Sequence, residues 1–226
     1  MRAIASTKGG IWRGPGGEAF ADPFDTDTWQ YFGDLAVEMA AEGVDEIQYD
    51  YVRFPVDGDL STARYHATSN GETRPQQITK FVAYMEQRLR PSKVFLSADI
   101  FGRVVWHPVD RDTGQILEQM SQHLDYVSPM IYPSGFNSGS GDYDRPPEHS
   151  YGLIKQSLEQ SNQRLQGMST RVRPWLQAFD DYAFGLPYGL PQFLEQRRAA
   201  EAMGTSGWMF WNAGADYDAR TFAPNP

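Results

Sequence analysis

The sequence predicts an α/β fold in which parallel strands alternate with helices, and three observations indicate it. Helical and extended patterns alternate along most of the chain, in a series that starts with a helix and ends with a strand. Long loops follow the strands, whereas the links from helix back to strand are short, as in a (β/α) barrel. No strand end carries a glycine-rich phosphate-binding turn, which disfavours a doubly wound nucleotide-binding sheet.

Each predicted element is placed by its apolar spacing and by the residues at its ends. The first helix begins near Thr26, with Asp25 or Thr26 as its N-cap, carries an apolar stripe from Trp29 to Ala40, and ends at Gly43. Residues 1–24 are predicted to be a loop. The other predicted elements are a strand at 44–55, a helix from Pro75 to Pro91, a strand at 93–99, a helix at 113–122, a strand at 125–132, a helix at 151–167, a strand at 171–179, a helix at 190–203 and a strand at 206–212.

The pattern contains five strands, whereas a complete (β/α)8 TIM barrel contains eight. We therefore predict one domain over residues 1–226, an N-terminally truncated TIM barrel formed by strands 4 to 8 with their intervening helices. The alternative is a complete open sheet of five strands.

The first predicted strand, residues 44–55, has a polar face that needs an explanation. Parallel strands are normally covered on both faces, and polar groups in a covered interior need partners or a function. A barrel supplies both, because its lumen contains polar layers and its site lies at the carboxyl ends of the strands. The polar face is Glu46, Gln48 and Asp50, and we expect Asp50 and Arg53 to lie at the rim.

Five motifs, in order along nearly the whole chain, resemble the signature of a bacterial glycoside hydrolase domain of unassigned function in the TIM-barrel hydrolase clan. The resemblance implies three further strands upstream and a secreted or cell-envelope location. One departure is Ala178, where members often carry an acidic residue, although Asp180 and Asp181 lie close by. The motifs are DEIQYDYVRFP at 45–55, SADIFG at 97–102, DYVSPMIYPS at 125–134, RPWLQ at 173–177 and GWMFWN at 207–212.

Two aspartates at the ends of adjacent predicted strands, Asp50 and Asp99, are the candidate catalytic residues. Glycoside hydrolysis usually requires two carboxyl groups flanking the scissile bond, and neighbouring strands lie about 4.8 Å apart. We assign Asp50 as nucleophile or base and Asp99 as general acid, in an order taken from related barrels that could be reversed. The alternative is that one of them only anchors Arg53 or caps a loop.

Aromatic and polar side chains at the strand ends are the candidate substrate contacts. Sugar rings stack on aromatic faces while their hydroxyl groups reach polar edges, and ligand sites combine apolar walls with a few polar groups. We expect Trp208 to lie inside and Asn212 at the rim. The predicted contacts are Arg53, Tyr132, Gln177, Trp208, Trp211 and Asn212.

Composition excludes several other classes of function. The net charge of −9 argues against nucleic acid, which attracts basic surfaces. No apolar run is long enough to span a bilayer, no signal peptide opens the chain, and the absence of cysteine excludes thiol chemistry. The four histidines form no close ligand pair, and residues 110–114 lack the full calcium-loop series, so we predict neither a metal nor a cofactor.

The resemblance, together with the two strand-end aspartates, implies a glycoside hydrolase that cleaves O-glycosidic bonds of a polysaccharide by two-carboxylate acid/base catalysis. Its partner would be a carbohydrate substrate, and the oligomeric state is not indicated. The alternative is a non-catalytic carbohydrate-binding barrel or an inactive fragment of a longer hydrolase, since a barrel without its first strands loses any site residues on them.

Overall fold

The computed structural model describes residues 2–66, 71–110 and 112–223; Arg111 of the predicted calcium-like turn lies outside them. None of the helices in these ranges combines the length and apolar character needed to cross a membrane. The helices are α1 (Thr26–Ala41), α2 (Arg74–Leu89), α3 (Gly102–Trp106), α4 (Leu117–Ser121), α5 (Ser150–Arg164) and α6 (Leu190–Ala202). The strands are β1 (Ala5–Ser6), β2 (Glu46–Tyr49), β3 (Ala63–Arg64), β4 (Phe95–Phe101), β5 (Tyr126–Ile131), β6 (Arg171–Val172), β7 (Trp175–Gln177) and β8 (Met209–Trp211).

The chain forms two compact units, and the long strand β4 belongs to both. The first unit contains Met1–Ala98 and Val109–Asp125, and the second contains Asp99–Pro108 and Tyr126–Pro226. A single domain over the whole chain stays a prediction.

The first unit joins β2 and β4 as parallel neighbours. Their register runs from Glu46 opposite Phe95 to Tyr49 opposite Ala98. Helix α1 begins as predicted, because the Asp25 side chain caps it by accepting the Asp27 N–H at 3.1 Å.

The apolar stripe predicted for α1 is only partly buried. Ala36 is buried, but Leu35 and Met39 are 44% and 42% exposed. Both line a groove with Glu46 and Ile47 of β2, a strand that among the described residues pairs with β4 alone. The spacing therefore identified the helix correctly but not the exposure of its apolar face.

The N-terminal segment, predicted to be a loop, contains a small antiparallel pair. Strand β1 pairs with β3, so that Ala5 lies opposite Arg64. Beside this pair, Ile4 and Trp12 form a buried cluster with Ala63. Strands of two residues are too short to show an alternating pattern, which is why the sequence did not reveal them.

The second unit contains a parallel group in which β5 pairs with β6 and β7, and β7 pairs with β8. The strand predicted at 171–179 is interrupted because Pro174 has no N–H for the ladder. Arg173 keeps the two pieces aligned, since its backbone N–H bonds to the Val127 carbonyl at 3.0 Å. Helix α3 lies between the strand predicted at 93–99 and the helix predicted at 113–122, where no helix was expected; it has only five residues, too few to show a helical apolar pattern.

The predicted fold class is confirmed, because all five predicted parallel strands occur and helices connect them. The first is shorter than expected and ends at Tyr49. Tyr51 has a φ of 55°, a left-handed conformation that cannot continue a strand.

Candidate active site

The segment after β2 turns sharply and is held by hydrogen bonds. Tyr51 is 56% exposed, and its positive φ is uncommon for a bulky residue, so the surrounding structure has to impose it. The Phe54 N–H bonds to the Thr113 carbonyl at 2.8 Å, and the Gln115 amide donates to the Val52 carbonyl at 3.2 Å. These bonds fix the path on which Asp50 and Arg53 lie.

Asp50 is the first residue after β2, and it is exposed. The Gln48 side-chain amide donates a hydrogen bond of 2.7 Å to Asp50 Oδ1. Residues two apart on a strand share a face, so Gln48 can hold one carboxylate oxygen of Asp50 from below. A hydrogen bond of this kind stabilises the charged carboxylate and limits its rotation.

Arg53 is positioned by two aromatic rings. Its guanidinium carbon lies 5.2 Å from the ring centre of Phe20 and 5.9 Å from that of Tyr51, distances typical of cation–π contacts. Its Nη1 donates to the Phe54 carbonyl at 3.1 Å. The guanidinium is therefore held close to the turn that carries Asp50.

Asp99 lies within β4 and is 2% exposed. The register pairs Tyr49 with Ala98, so Asp50, just after β2, and Asp99, within β4, each directly follow a paired residue. Two residues before Asp99 on β4, the Ser97 hydroxyl donates to Glu46 Oε1 of β2 at 2.5 Å. The distance between the two carboxyl groups, and their roles, stay predictions.

Three aromatic rings in the second unit form a group that we call the tyrosine platform: Tyr132, Phe179 and Tyr182. The rings of Tyr132 and Phe179 meet edge to face at 5.4 Å, and those of Phe179 and Tyr182 stack at 6.1 Å. Tyr182 is 70% exposed, so the platform presents an aromatic surface to solvent. A carbohydrate contact by Tyr132 stays a prediction.

A second aromatic pair lies on β7 and β8. The rings of Trp175 and Trp211 meet edge to face at 6.1 Å, and Trp211 is 41% exposed. No contact role was predicted for Trp175 from the sequence. Strand alternation could have indicated this residue, because Trp175 lies on the same strand face as Gln177. Gln177 pairs with Trp211 in the register.

Gln177 is fully buried and its amide group is engaged inside the protein. Its Nε2 donates to Ser134 Oγ at 2.7 Å and to the Phe179 carbonyl at 3.1 Å, while its Oε1 accepts the Ser134 N–H at 3.0 Å. The residue therefore holds the loop after β5. Contact with a sugar stays a prediction, and it would require one of these bonds to break.

Asn212 organises the segment after β8. Its Nδ2 donates to the carbonyls of Ala178 and Asp216, and its Oδ1 accepts the Gly214 N–H at 2.8 Å. The side chain thus connects the ends of β7 and β8 with the tail. The structure shows Asn212 in this structural role, and its contact with a substrate stays a prediction.

The expectation that Trp208 faces the interior is wrong. Its indole N–H points to Glu201 of α6, and its ring packs on Phe210 and Phe222 at 5.4 and 6.0 Å. The Arg197 guanidinium of the same helix lies 5.8 Å from the ring. The Trp208 ring lies on this side of β8 because Phe210, Phe222 and Arg197 give it apolar and cationic contacts there. Trp208 therefore packs against α6 and Phe222, and a substrate contact by this residue stays a prediction.

A match to a protein family connects these features with carbohydrate chemistry. Residues 1–217 match the family described as "Putative glycosyl hydrolase domain". The chain belongs to this family. The resemblance inferred from the five motifs is thereby confirmed, and the comparison with curated proteins gives no significant match.

Solved structures of glycoside hydrolases share the fold of this family member. The PgaB glycoside hydrolase domain of Bordetella bronchiseptica superposes with a TM-score of 0.60 at 14% identity, over 92% of this chain and 64% of that one. The spore cortex-lytic enzyme SleL of Bacillus megaterium gives 0.58 at 10% identity, over 89% and 53%. A class V chitinase of Pseudomonas fluorescens gives 0.57 at 12% identity, over 89% and 72%. The chain thus spans about two thirds of the PgaB domain and half of SleL, and the likeness establishes the fold.

The two aspartates near Ala178 differ in environment. Asp180 is exposed, whereas Asp181 is 6% exposed and accepts the N–H groups of Ala183, Phe184 and Leu186 at 3.0–3.1 Å. Burial alone would raise the pKa of Asp181, but these hydrogen bonds outweigh it and hold the pKa below its usual value. Asp181 therefore acts as a charged anchor of its loop.

We expect Asp181→Asn to destabilise the fold by about 1–3 kcal/mol at pH 7, because an amide cannot accept all three bonds. A lowered folded-state pKa gives stability that is present above the unfolded pKa, near 3.9, and is lost as pH falls through the folded value. The difference between wild type and variant in urea unfolding should thus shrink from pH 7 to pH 3. Asp180→Asn is the matched control, and an equal effect of both variants would contradict the assignment.

Possible metal ligands do not cluster in the described part of the chain. Across residues 2–66, 71–110 and 112–223, no group of three or more histidine, aspartate or glutamate side chains is placed to hold an ion.

Proposed function

We propose that this chain hydrolyses O-glycosidic bonds of a polysaccharide, with Asp50 and Asp99 as the two catalytic carboxyl groups. The observation that carries the proposal is the register of β2 and β4, in which each aspartate directly follows a paired residue, Tyr49 or Ala98. In barrel enzymes, catalytic groups come from the carboxyl ends of several strands. Family membership supports the reaction class.

The environments of the two aspartates support different roles. Asp50 is exposed and its carboxylate receives a hydrogen bond from Gln48, which suits a nucleophile or base. Asp99 is buried, which limits the access of bulk water to its carboxyl group and suits the proton donor. In the overall reaction, water adds its hydroxyl to the anomeric carbon, the glycosidic C–O bond breaks, and the leaving oxygen takes a proton.

The aromatic surfaces support a carbohydrate as substrate. The tyrosine platform and the Trp175–Trp211 pair each present one exposed ring, Tyr182 and Trp211, after or at the ends of β7 and β8. Apolar ring faces of this kind complement the C–H faces of sugars. The solved relatives include a chitinase and a spore cortex-lytic enzyme, which supports a polysaccharide and a secreted or cell-envelope location.

The proposal is tested by incubating the chain with a panel of β- and α-linked polysaccharides and measuring new reducing ends, with binding measured in parallel by calorimetry. We expect turnover of at least one polysaccharide that also binds. Binding without turnover across the panel would contradict hydrolysis and favour the non-catalytic carbohydrate-binding alternative.

A further inference from the structure

A groove of about 930 Å³ lies in the second unit, between helix α3, the loop that follows β5 and helix α5. Its volume falls within the range of about 300–1,000 Å³ that is typical of ligand pockets in proteins. The described residues that line it include none of the site residues predicted from the sequence. We call it the polar groove, because amide and hydroxyl side chains line much of it: Asn137, Ser138, Ser140, Gln156 and Gln160.

Trp106, at the end of α3, forms an aromatic wall of the polar groove. Its indole N–H donates to the Ser157 hydroxyl at 2.9 Å, and its ring meets Phe136 edge to face at 6.4 Å. Gly141 lets the loop come close, because a Cβ there would lie 2.5 Å from Gln156 Oε1 and 3.4 Å from the Trp106 ring. Trp106 is partly exposed, so a fixed aromatic surface remains open to a ligand.

Backbone hydrogen bonds hold together the loop on the other side of the groove. The Gly139 N–H bonds to the Tyr143 carbonyl at 2.8 Å, and the Ser140 N–H bonds to the Asn137 carbonyl at 3.1 Å. The side chains of Asn137, on this loop, and Gln160, on α5, are exposed. A site that is already formed loses little conformational freedom when a ligand binds.

The charges that line the polar groove do not favour a charged polymer. Asp142 and Glu159 carry carboxylates, Arg103 carries a guanidinium group, and Glu159 also pairs with Lys155 at 3.3 Å. Because both signs are present, a chain with charges of one sign meets repulsion as well as attraction along the groove. Amide and hydroxyl groups donate and accept hydrogen bonds, which suits the hydroxyl groups of a neutral sugar.

We propose that the polar groove binds a neutral oligosaccharide, with one sugar ring against Trp106 and sugar hydroxyl groups on Asn137 and Gln160. An aromatic wall with a few polar groups is the combination that ligand sites use, and the apolar face of a sugar ring complements the indole. The inference rests on the proposed carbohydrate substrate but does not depend on the catalytic aspartates.

The position of the polar groove fits a polysaccharide that also lies on the tyrosine platform. Gly135 lines the groove, and a Cβ on Gly135 would lie 3.7 Å from the Tyr182 hydroxyl. The groove therefore borders the platform within the second unit, and one sugar chain can follow from one surface to the other.

Cellohexaose and chitohexaose, which are neutral, and hexagalacturonate, which is anionic, test this inference when titrated into the full chain by calorimetry. We expect at least one neutral hexamer to bind, and to bind more tightly than hexagalacturonate. Gln160→Ala removes one amide and should weaken this binding about fivefold. Gln163→Ala is the matched control, because Gln163 is also exposed on α5 but does not line the groove, and its affinity should equal that of wild type.

The indole N–H resonances of the tryptophans show where the hexamer binds. The bound hexamer should shift the resonance of Trp106 and leave that of Trp12, buried in the first unit, unchanged. No shift at Trp106 with either neutral hexamer, tighter binding of hexagalacturonate, or equal affinity of Gln160→Ala and Gln163→Ala would each overturn the proposal.

Reducing-end release measured on the same samples separates this inference from the proposed hydrolysis. Binding at Trp106 without turnover would support the polar groove while contradicting hydrolysis. Turnover with equal affinity of Gln160→Ala and Gln163→Ala would overturn the polar groove and leave hydrolysis supported.

Discussion

Asp99→Asn is expected to lower kcat about 10²–10⁴-fold on any polysaccharide that the chain cleaves. The amide has the same shape as the carboxyl group but cannot supply the acidic proton that the leaving oxygen needs. Asp99 is 2% exposed, so water has little access to replace it as the donor. Initial rates of reducing-end release give kcat, and calorimetry should show the affinity for polysaccharide within about threefold of wild type.

The matched control for this prediction is another buried aspartate with a structural role. Asp22 is fully buried and accepts the N–H groups of Phe24 and His66 at 2.9 and 2.6 Å. Asp22→Asn should lower stability and leave kcat close to wild type. If Asp99→Asn behaved like Asp22→Asn, with turnover retained, Asp99 would not be the proton donor.

The second large effect is expected at Gly102, the last residue of the motif at 97–102 and the first of α3. A Cβ at this position would lie 2.5 Å from the Met130 carbonyl oxygen and 3.1 Å from the Phe136 ring. Because the nearest atom belongs to backbone of β5, it cannot rotate away. We expect Gly102→Ala to lower the free energy of unfolding by about 1–3 kcal/mol or more.

Urea unfolding at pH 7 measures this effect, with Gly189→Ala as the control. Gly189 is the N-cap of α6, and a Cβ added there would meet no atom within 4 Å, so we expect only the loss of N-cap preference, about 0.5–1 kcal/mol. Equal stability of Gly102→Ala and wild type would mean that the junction of β4 and α3 can shift to accept a Cβ. That result would contradict the close packing of Gly102 on β5.

The parts of the fold that sequence could predict are those encoded locally. The N-cap at Asp25, the capping box at Thr73 and the stop at Pro91 fix the ends of α1 and α2 through residues within four positions. The parallel strands carry continuous apolar or alternating patterns, which predict them for the same reason. The observed strand ends differ from the predicted ones where a single backbone feature interrupts the strand, such as the positive φ of Tyr51 or the missing N–H of Pro174.

For the candidate site, the sequence could suggest positions more readily than contacts. Strand ends led us to expect Asp50, Arg53 and Asn212 at the rim, because parallel strands place their carboxyl ends at one edge, and their roles stay predictions. The roles of Gln177 and Asn212 could not be predicted, since the partners of Gln177 include Ser134, 43 residues away. The side that Trp208 faces depends on α6 and on Phe222, which no local pattern near the strand records.

The most direct test of two-carboxylate catalysis is kcat for Asp50→Asn, Asp99→Asn and the double variant on one cleaved polysaccharide. Residues that act as a unit give non-additive losses, so the double variant should be no more than a few-fold slower than the slower single variant. Wild-type turnover in either single variant, or two losses that multiply in the double variant, would contradict a shared mechanism.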